Sequence, residues 1–330
     1  MTTQSEYDKM LTSKIKEDTS NGENGLAYAL EMDVSTKKLD EQTKVESSTI
    51  ALTELQQIDA IQRMNSNFIF LFGAAHRGKT VVTSSVLNFL SSVESEGDLA
   101  PFAVKKDVDH GNDLYRKILR VFAEKRFPLR TVLVGNDEPI YVNVRFTPHN
   151  QRDKEALNLT FLEMPGDHLA RIDAPEGGRG ELPASIDIFF RTKGVSISFI
   201  LITEHGLAAQ DDQLIASFID RVRHENKNFS NARFLLLVTK WDEYDGGLPV
   251  DEFVKLNMRL THSKLHDSKH SISDFSIGEV GTADEKPFLQ SYNSIAPRKV
   301  INWLYTNITG KPMYQKKFLD KLLSKFLKYT

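Results

Sequence analysis

Asn67-Phe-Ile-Phe-Leu-Phe-Gly73-Ala-Ala-His-Arg-Gly78-Lys79-Thr80 decides the reading of this chain. Phe68–Phe72 is an unbroken apolar run, as expected of a strand covered on both faces. It passes directly into G-x-x-x-x-G-K-T, the Walker A pattern, and a helix is expected from Lys79 to Ser92. The chemistry needs that order. Consecutive backbone N–H groups of Gly73, Ala74, Ala75, His76, Arg77 and Gly78, continuing into Lys79, Thr80 and Val81, can wrap a phosphate. The positive end of the following helix adds to the attraction. Lys79 supplies a point charge to the phosphates, and the Thr80 hydroxyl is a ligand for Mg²⁺.

Downstream of this stretch the texture alternates between strands and helices. Helices are expected over Asn112–Lys125, Leu182–Arg191, Gln210–His224, Asp251–Leu265 and Pro297–Thr306. Strands are expected over Pro139–Phe146, Leu157–Met164, Val195–Thr203, Arg233–Val238 and Asp274–Ile277. Such alternation implies an α/β fold, with a mostly parallel sheet and helices on both faces. No internal repeat is visible, so residues 67–308 read as one domain of the P-loop NTPase fold. Upstream, residues 1–66 form a polar arm in which Ile50–Met64 has helical spacing: Leu52, Leu55, Ile58 and Ile61 recur at threes.

Composition narrows the function. The chain has 330 residues, 40% hydrophobic and 26% charged, which is ordinary globular material. It has no cysteine, excluding disulfides, thiolate metal sites and a thiol nucleophile. That fits a reducing, cytoplasmic setting. A net charge of -3 gives no global pull towards nucleic acid, and none is expected as a partner. No apolar run approaches the ~20 residues of a membrane helix, and the N-terminus lacks the charge-then-apolar pattern of a signal peptide.

A second motif ends the strand Arg233–Val238: Thr239-Lys240-Trp241-Asp242. After a phosphate loop, [NT]-K-x-D at a strand end reads as a guanine clamp. The Asp242 carboxylate can accept from guanine N1–H and the 2-amino group together, whereas adenine offers no such donor pair. The Lys240 stem can pack on the base, and Thr239 can tie the segment to the phosphate loop. Between the two motifs lies Leu159-Thr-Phe-Leu-Glu163-Met-Pro-Gly166-Asp167-His168. Glu163 can hold a water on Mg²⁺, and the Gly166 N–H can meet a γ-phosphate. The Gly-rich, charged stretch that follows has the look of a mobile loop.

This order of motifs resembles that of TRAFAC-class P-loop GTPases. In texture it is most similar to bacterial double-GTPase-type and standalone GTPase domains of conflict and signalling operons. The resemblance covers residues 68–308. It implies that Thr131, in Phe127-Pro-Leu-Arg-Thr131, binds Mg²⁺ when GTP is present. It also implies that Ser276-Ile277-Gly278 contacts guanine O6 through backbone N–H. GTP or GDP with Mg²⁺ would be the ligands, and a protein effector or activator the partner.

The departures are specific. Glu163 stands where the family usually has Asp, and Ala75 where small GTPases carry Gly. Asp167, followed by His168, stands where many place a Gln or His to orient the attacking water. Either residue could align that water, although a solvated loop is the plainer reading. Arg77 and Arg179 could act as arginine fingers, with surface positions the plainer alternative. A GTP-binding module with little turnover, and an ATPase of the same fold, therefore stay open beside a GTPase switch.

Two features lie outside the motifs. His262, His266 and His270 are four apart and would share one face of a continuing helix, a solvated surface more readily than a metal site. Residues 309–330 read as a basic amphipathic helix. From Lys311 to Thr330 there are six lysines and one aspartate, arranged around an apolar stripe from Phe318 to Leu327. It suits either an anionic membrane, giving a peripheral location, or docking on its own domain. Deleting 312–330 separates the two. A membrane contact predicts lost co-sedimentation with anionic vesicles and unchanged nucleotide affinity; internal docking predicts a lower melting temperature.

Overall fold

The computed structural model describes residues 54–91, 103–104, 122, 124, 125, 127, 140–146, 156–163, 184–224, 232–283 and 286–313. Helix α1 (Glu54–Arg63) leads into β1 (Asn67–Phe72), then α2 (Lys79–Ser91). A short β2 (Ala103–Val104) precedes β3 (Ile140–Phe146) and β4 (Leu157–Glu163). After these come α3 (Ala184–Arg191), β5 (Ser196–Glu204), α4 (Ala208–His224) and β6 (Arg233–Thr239). The described chain continues through α5 (Val250–Asn257), α6 (Arg259–His266) and β7 (Lys269–Phe275). It closes with β8 (Gly278–Ala283), β9 (Lys286–Tyr292) and α7 (Ile295–Thr309).

The main sheet has the order β2-β3-β4-β1-β5-β6-β7. Strands β4, β1, β5, β6 and β7 run parallel, while β3 is antiparallel to β4 and β2 to β3. Strand β1 is therefore central, flanked by two parallel neighbours, and its loop leaves from the carboxyl edge of the sheet. This is an α/β P-loop NTPase fold: a mostly parallel sheet, helices on both faces, and the phosphate-loop motif joining β1 to α2.

The alternation along β1 explains why its apolar run is unbroken. Phe68, Phe70 and Phe72 face a core built with α3 and α4, whereas Ile69 and Leu71 face a second core built with α2 and α7. Strands β5 and β6 divide in the same way, with Phe199, Leu201, Phe234 and Leu236 on the first side and Ile200, Ile202, Leu235 and Leu237 on the second. The first core is largely aromatic. Phe218 stacks on Phe72 at 3.9 Å between centroids and meets Phe70 at 5.8 Å and Phe199 at 5.7 Å.

Several element expectations hold to within two residues, and three need correction. The single helix expected over Asp251–Leu265 is two helices, broken at Met258, which is fully buried and has φ −129, ψ 59. The break is fixed by Asp212 of α4, whose carboxylate accepts the N–H groups of Leu260 (3.0 Å) and Thr261 (2.7 Å) at the start of α6. The strand expected at Asp274–Ile277 begins earlier and ends earlier, as β7, so Ser276 and Ile277 lie beyond it. The three histidines share no helical face: α6 ends at His266, and His270 is in β7. Among the described residues no group of three His, Asp or Glu side chains could hold a metal ion.

The antiparallel pair β8–β9 was not expected. It is anchored by the Tyr292 hydroxyl donating to Ser85 O of α2 (3.0 Å), Asn293 N–H to Ile277 O (2.9 Å) and Leu289 N–H to Lys125 O (2.9 Å). Residues 1–53, the C-terminal stretch 314–330 and all but Phe122, Glu124 and Lys125 of the expected helix Asn112–Lys125 lie outside the described residues. Among the described residues no helix is long and apolar enough to cross a membrane.

Phe218 gives a direct test of the aromatic core. Phe218→Ala is expected to cost about 3–5 kcal/mol, read as a lower midpoint in urea unfolding with unchanged slope.

Candidate functional site

The phosphate loop starts where β1 ends, pressed against β5. A Cβ built on Gly73 would lie 2.3 Å from the Ile202 carbonyl oxygen, so only glycine lets the loop leave the strand here. The loop then turns through left-handed backbone at His76 (φ 64) and Gly78 (φ 91). Successive turns of this kind aim backbone N–H groups into one concavity, an arrangement that holds anions. His76 is exposed, and Ala74, Ala75, Gly78 and Thr80 are partly exposed. Lys79 is buried, and its ammonium donates to Gly73 O (2.8 Å) and Ala74 O (2.9 Å) across the loop. Thr80 and Val81 stand in the first turn of α2.

The second motif lies at the same edge. Thr239, the last residue of β6, reaches the loop: its Oγ1 lies 3.1 Å from Arg77 O and 3.0 Å from Thr203 O, sharing one hydrogen between two carbonyls. Lys240 follows in left-handed backbone (φ 54), and its ammonium pairs with Glu204 at 2.8 Å. Asp242 is exposed, and its backbone N–H donates to Ser276 Oγ at 3.1 Å. Among the described residues no donor takes the Asp242 carboxylate. Behind this turn Trp241 stacks on Tyr244 at 4.5 Å, and both rings meet Phe253 edge-on. Ile277 is buried beside Ser276, and Gly278 (φ 129) turns the chain into β8. The structure thus brings together Gly73–Val81, Thr239, Lys240, Asp242, Ser276 and Ile277.

Glu163 ends β4, one step past the Phe70↔Leu162 pair, at the same edge of the sheet. Thr131, Gly166, Asp167, His168 and Arg179 lie outside the described residues.

Arg77 requires a correction, since it is not a surface arginine. Its side chain is 13% exposed and forms a two-pronged pair with Asp211 of α4, Nε–Oδ2 2.7 Å and Nη2–Oδ1 3.0 Å. Thr203 at the end of β5 donates its hydroxyl to the same carboxylate at 2.8 Å. Asp211 and Thr203 were missed in the sequence reading. The signal was present: Asp211 lies in register with Ile215, Phe218 and Val222, so a carboxylate falls on the apolar stripe of α4 and demands a buried partner.

A separate cavity of ≈ 420 Å³ opens at the amino ends of β1 and β5, lined by Gln62, Asn65, Asn67, Lys193 and Ser196 among others. It sits at the opposite end of these strands from every motif residue.

The sequence matches no protein-family profile and no curated protein. Among solved structures it is similar to the Roco2 RocCORdC protein of Methanosarcina barkeri bound to GDP, with 14% identity, 64% of this chain, 43% of that chain and a TM-score of 0.30. It is also similar to the signal recognition particle receptor SRb-GTP/SRX complex of Chaetomium thermophilum, with 11% identity, 67% of this chain, 94% of that one and a TM-score of 0.34. The chain spans less than half the length of the Roco2 structure.

Gly73→Ala is expected to destabilise the protein by about 1–3 kcal/mol through the clash with the Ile202 carbonyl. Gly206→Ala, where an added Cβ meets nothing within 4 Å, should stay within about 0.5 kcal/mol. Chemical denaturation of both variants checks the contrast.

Proposed function

We propose that this protein is a guanine-nucleotide-binding switch that hydrolyses GTP slowly. The observation that carries the reading is the bond from Thr239 Oγ1 to Arg77 O. It joins a phosphate-binding loop to a T-K-x-D turn whose carboxylate is left facing outward. Such a carboxylate suits guanine better than adenine, because guanine offers N1–H and the 2-amino group together and adenine has no such donor pair.

In this reading the backbone N–H groups of Gly73–Thr80 receive the β- and γ-phosphates, and Lys79 contributes its positive charge to them. Asp242 accepts from guanine N1–H and the 2-amino group. The backbone at Ser276 and Ile277 meets O6, held in place by the Asp242–Ser276 bond. The Thr80 hydroxyl and a carboxylate at the Glu163 strand end are hard oxygen donors suited to Mg²⁺. When bound, the ion would neutralise charge on the phosphates. Thr131 would add a further ligand, and Asp167 or His168 would align the attacking water, with Gly166 at the γ-phosphate. Phosphoryl transfer of this kind depends on positioning and charge stabilisation.

The Arg77–Asp211 pair favours slow turnover. The phosphate-loop arginine is committed to a carboxylate, so it is not free to act as an arginine finger. A protein activator or effector acting on the segments near 127–131 and 166–182 is the expected partner, and a cytoplasmic location with a membrane contact through 309–330 completes the proposal.

Nucleotide released from the denatured protein should be GDP or GTP. GTP should bind more tightly than ATP by roughly two decades or more, since a site built on buried polar pairs rejects a ligand that leaves them unmet. Asp242→Asn should weaken GTP and shift preference to xanthosine triphosphate, which carries an oxygen where guanine has its amino group. Equal affinity for GTP and ATP in the wild type would overturn the guanine assignment. Absence of phosphate release with Mg²⁺ would leave a binding module without turnover.

A further inference from the structure

Two consecutive aspartates stand near the start of α4, Asp211 in its first turn and Asp212 just after it, and both are buried. Asp212 is accounted for by the start of α6. Asp211 points into a different set of partners. It takes both prongs of Arg77 and the hydroxyl of Thr203, and it is about as buried as the apolar residues of its own helix. We propose that Asp211 is a positioning residue of the nucleotide site, holding the phosphate loop and the base-recognition turn in one register. This inference rests on the nucleotide-binding reading of the site.

The geometry is a closed ring. Asp211 fixes the Arg77 side chain through two parallel bonds, and a planar guanidinium held at two points has its orientation set. The Arg77 backbone carbonyl then lies at 3.1 Å from Thr239 Oγ1. The other acceptor of Thr239, Thr203 O, belongs to the residue whose hydroxyl donates back to Asp211. The phosphate loop and the end of β5 thus meet on one carboxylate carried by α4, and the end of β6 joins them through Thr239. Apart from the Thr203–Asp211 bond, which spans eight residues, the bonds of the ring join residues 36 to 162 apart in sequence.

The sign of the electrostatics separates positioning from proximity. A carboxylate near bound phosphates repels them. If Asp211 acted only through its charge, neutralising it would tighten nucleotide binding. If it served only global stability, neutralising it would lower the melting temperature and leave the affinity of the folded protein unchanged. Weaker binding arises only if the loop and the turn lose their relative placement, and displacements near 1 Å at such sites carry large penalties.

The experiment measures Mg-GDP and Mg-ADP affinities by calorimetry on the full chain, together with melting temperature without nucleotide. The variants are Asp211→Asn, Thr239→Val, their double mutant, Thr239→Ser and Arg77→Lys. Asp211→Asn is expected to weaken GDP by roughly tenfold or more. Because both residues act through one ring, the double mutant should fall well short of the product of the single effects. Arg77→Lys keeps the charge and loses the fork, and should weaken GDP in the same direction; it serves as the test if Asp211→Asn does not fold. Thr239→Ser, which restores the hydroxyl, should recover most of the Thr239→Val loss. Unchanged or tighter GDP binding in Asp211→Asn, or in Arg77→Lys, overturns the proposal, as do strictly multiplicative effects in the double mutant. Equal GDP and ADP binding by the wild type would overturn the guanine reading instead, and Asp211→Asn should then weaken both nucleotides alike.

Discussion

The approach of Gly73 to the Ile202 carbonyl sets the position of everything at the carboxyl edge of the sheet. Strand β1 is covered on both faces, and its last residues, Leu71 and Phe72, pair with Ile200 and Leu201 of β5, so its end is held close against β5. The chain must leave that end in a space too small for a side chain. Once past it, the backbone no longer has strand neighbours to receive its N–H groups, and it passes through left-handed conformations at His76 and Gly78 before α2 begins. An anion-binding loop is what a fully buried parallel strand produces when its exit is constrained in this way and followed by a helix.

The same edge receives β6 and β7, and their registers place the Thr239–Asp242 turn and Ser276 next to the loop. Val238 pairs with Asp274 and Thr239 with Phe275, so both strands stop together. Lys240 and Ser276 leave from adjacent ends, which is why one hydrogen bond from Asp242 N–H can hold the two turns side by side. Trp241, Tyr244 and Phe253 form the apolar backing that keeps this turn from collapsing into the strand ends. They belong to the same core as Phe72, Phe218 and Phe234, so the turn is continuous with the aromatic packing beneath the sheet.

Much of this was legible in the residues. The buried strands announced themselves as unbroken apolar runs, because two covered faces leave no room for polar alternation. The glycine-rich exit from β1 and the T-K-x-D segment at the end of β6 were readable as motifs because each is a run of a few adjacent residues at a strand end. What escaped was non-local. Met258 lies in a stretch with good helical spacing, and only the Asp212 carboxylate, 46 residues upstream, makes a second helix begin there. Arg77 reads as a surface residue until Asp211 is placed opposite it. The β8–β9 pair escaped because Gly278–Tyr292 has few strong strand formers, and its stability comes from anchors on α2 and at Lys125 rather than from its own alternation.

The central place of β1 has a consequence for the order in which the molecule can be made. Translation delivers β1 before either of its neighbours, which follow only with β4 and β5. Helix α2 emerges long before α7, against which it packs, and before Tyr292, whose hydroxyl caps Ser85. Until β4 is complete at residue 163, Phe68–Phe72 is a β-prone apolar segment without a partner strand, and its other edge stays open until residue 204, the kind of segment most exposed to aggregation. Until residue 309 exists, the second core is open on the side of α2. The loop after β1, though early in the chain, therefore depends for its surroundings on residues made much later, and a nascent chain carries its greatest liability at its central strand.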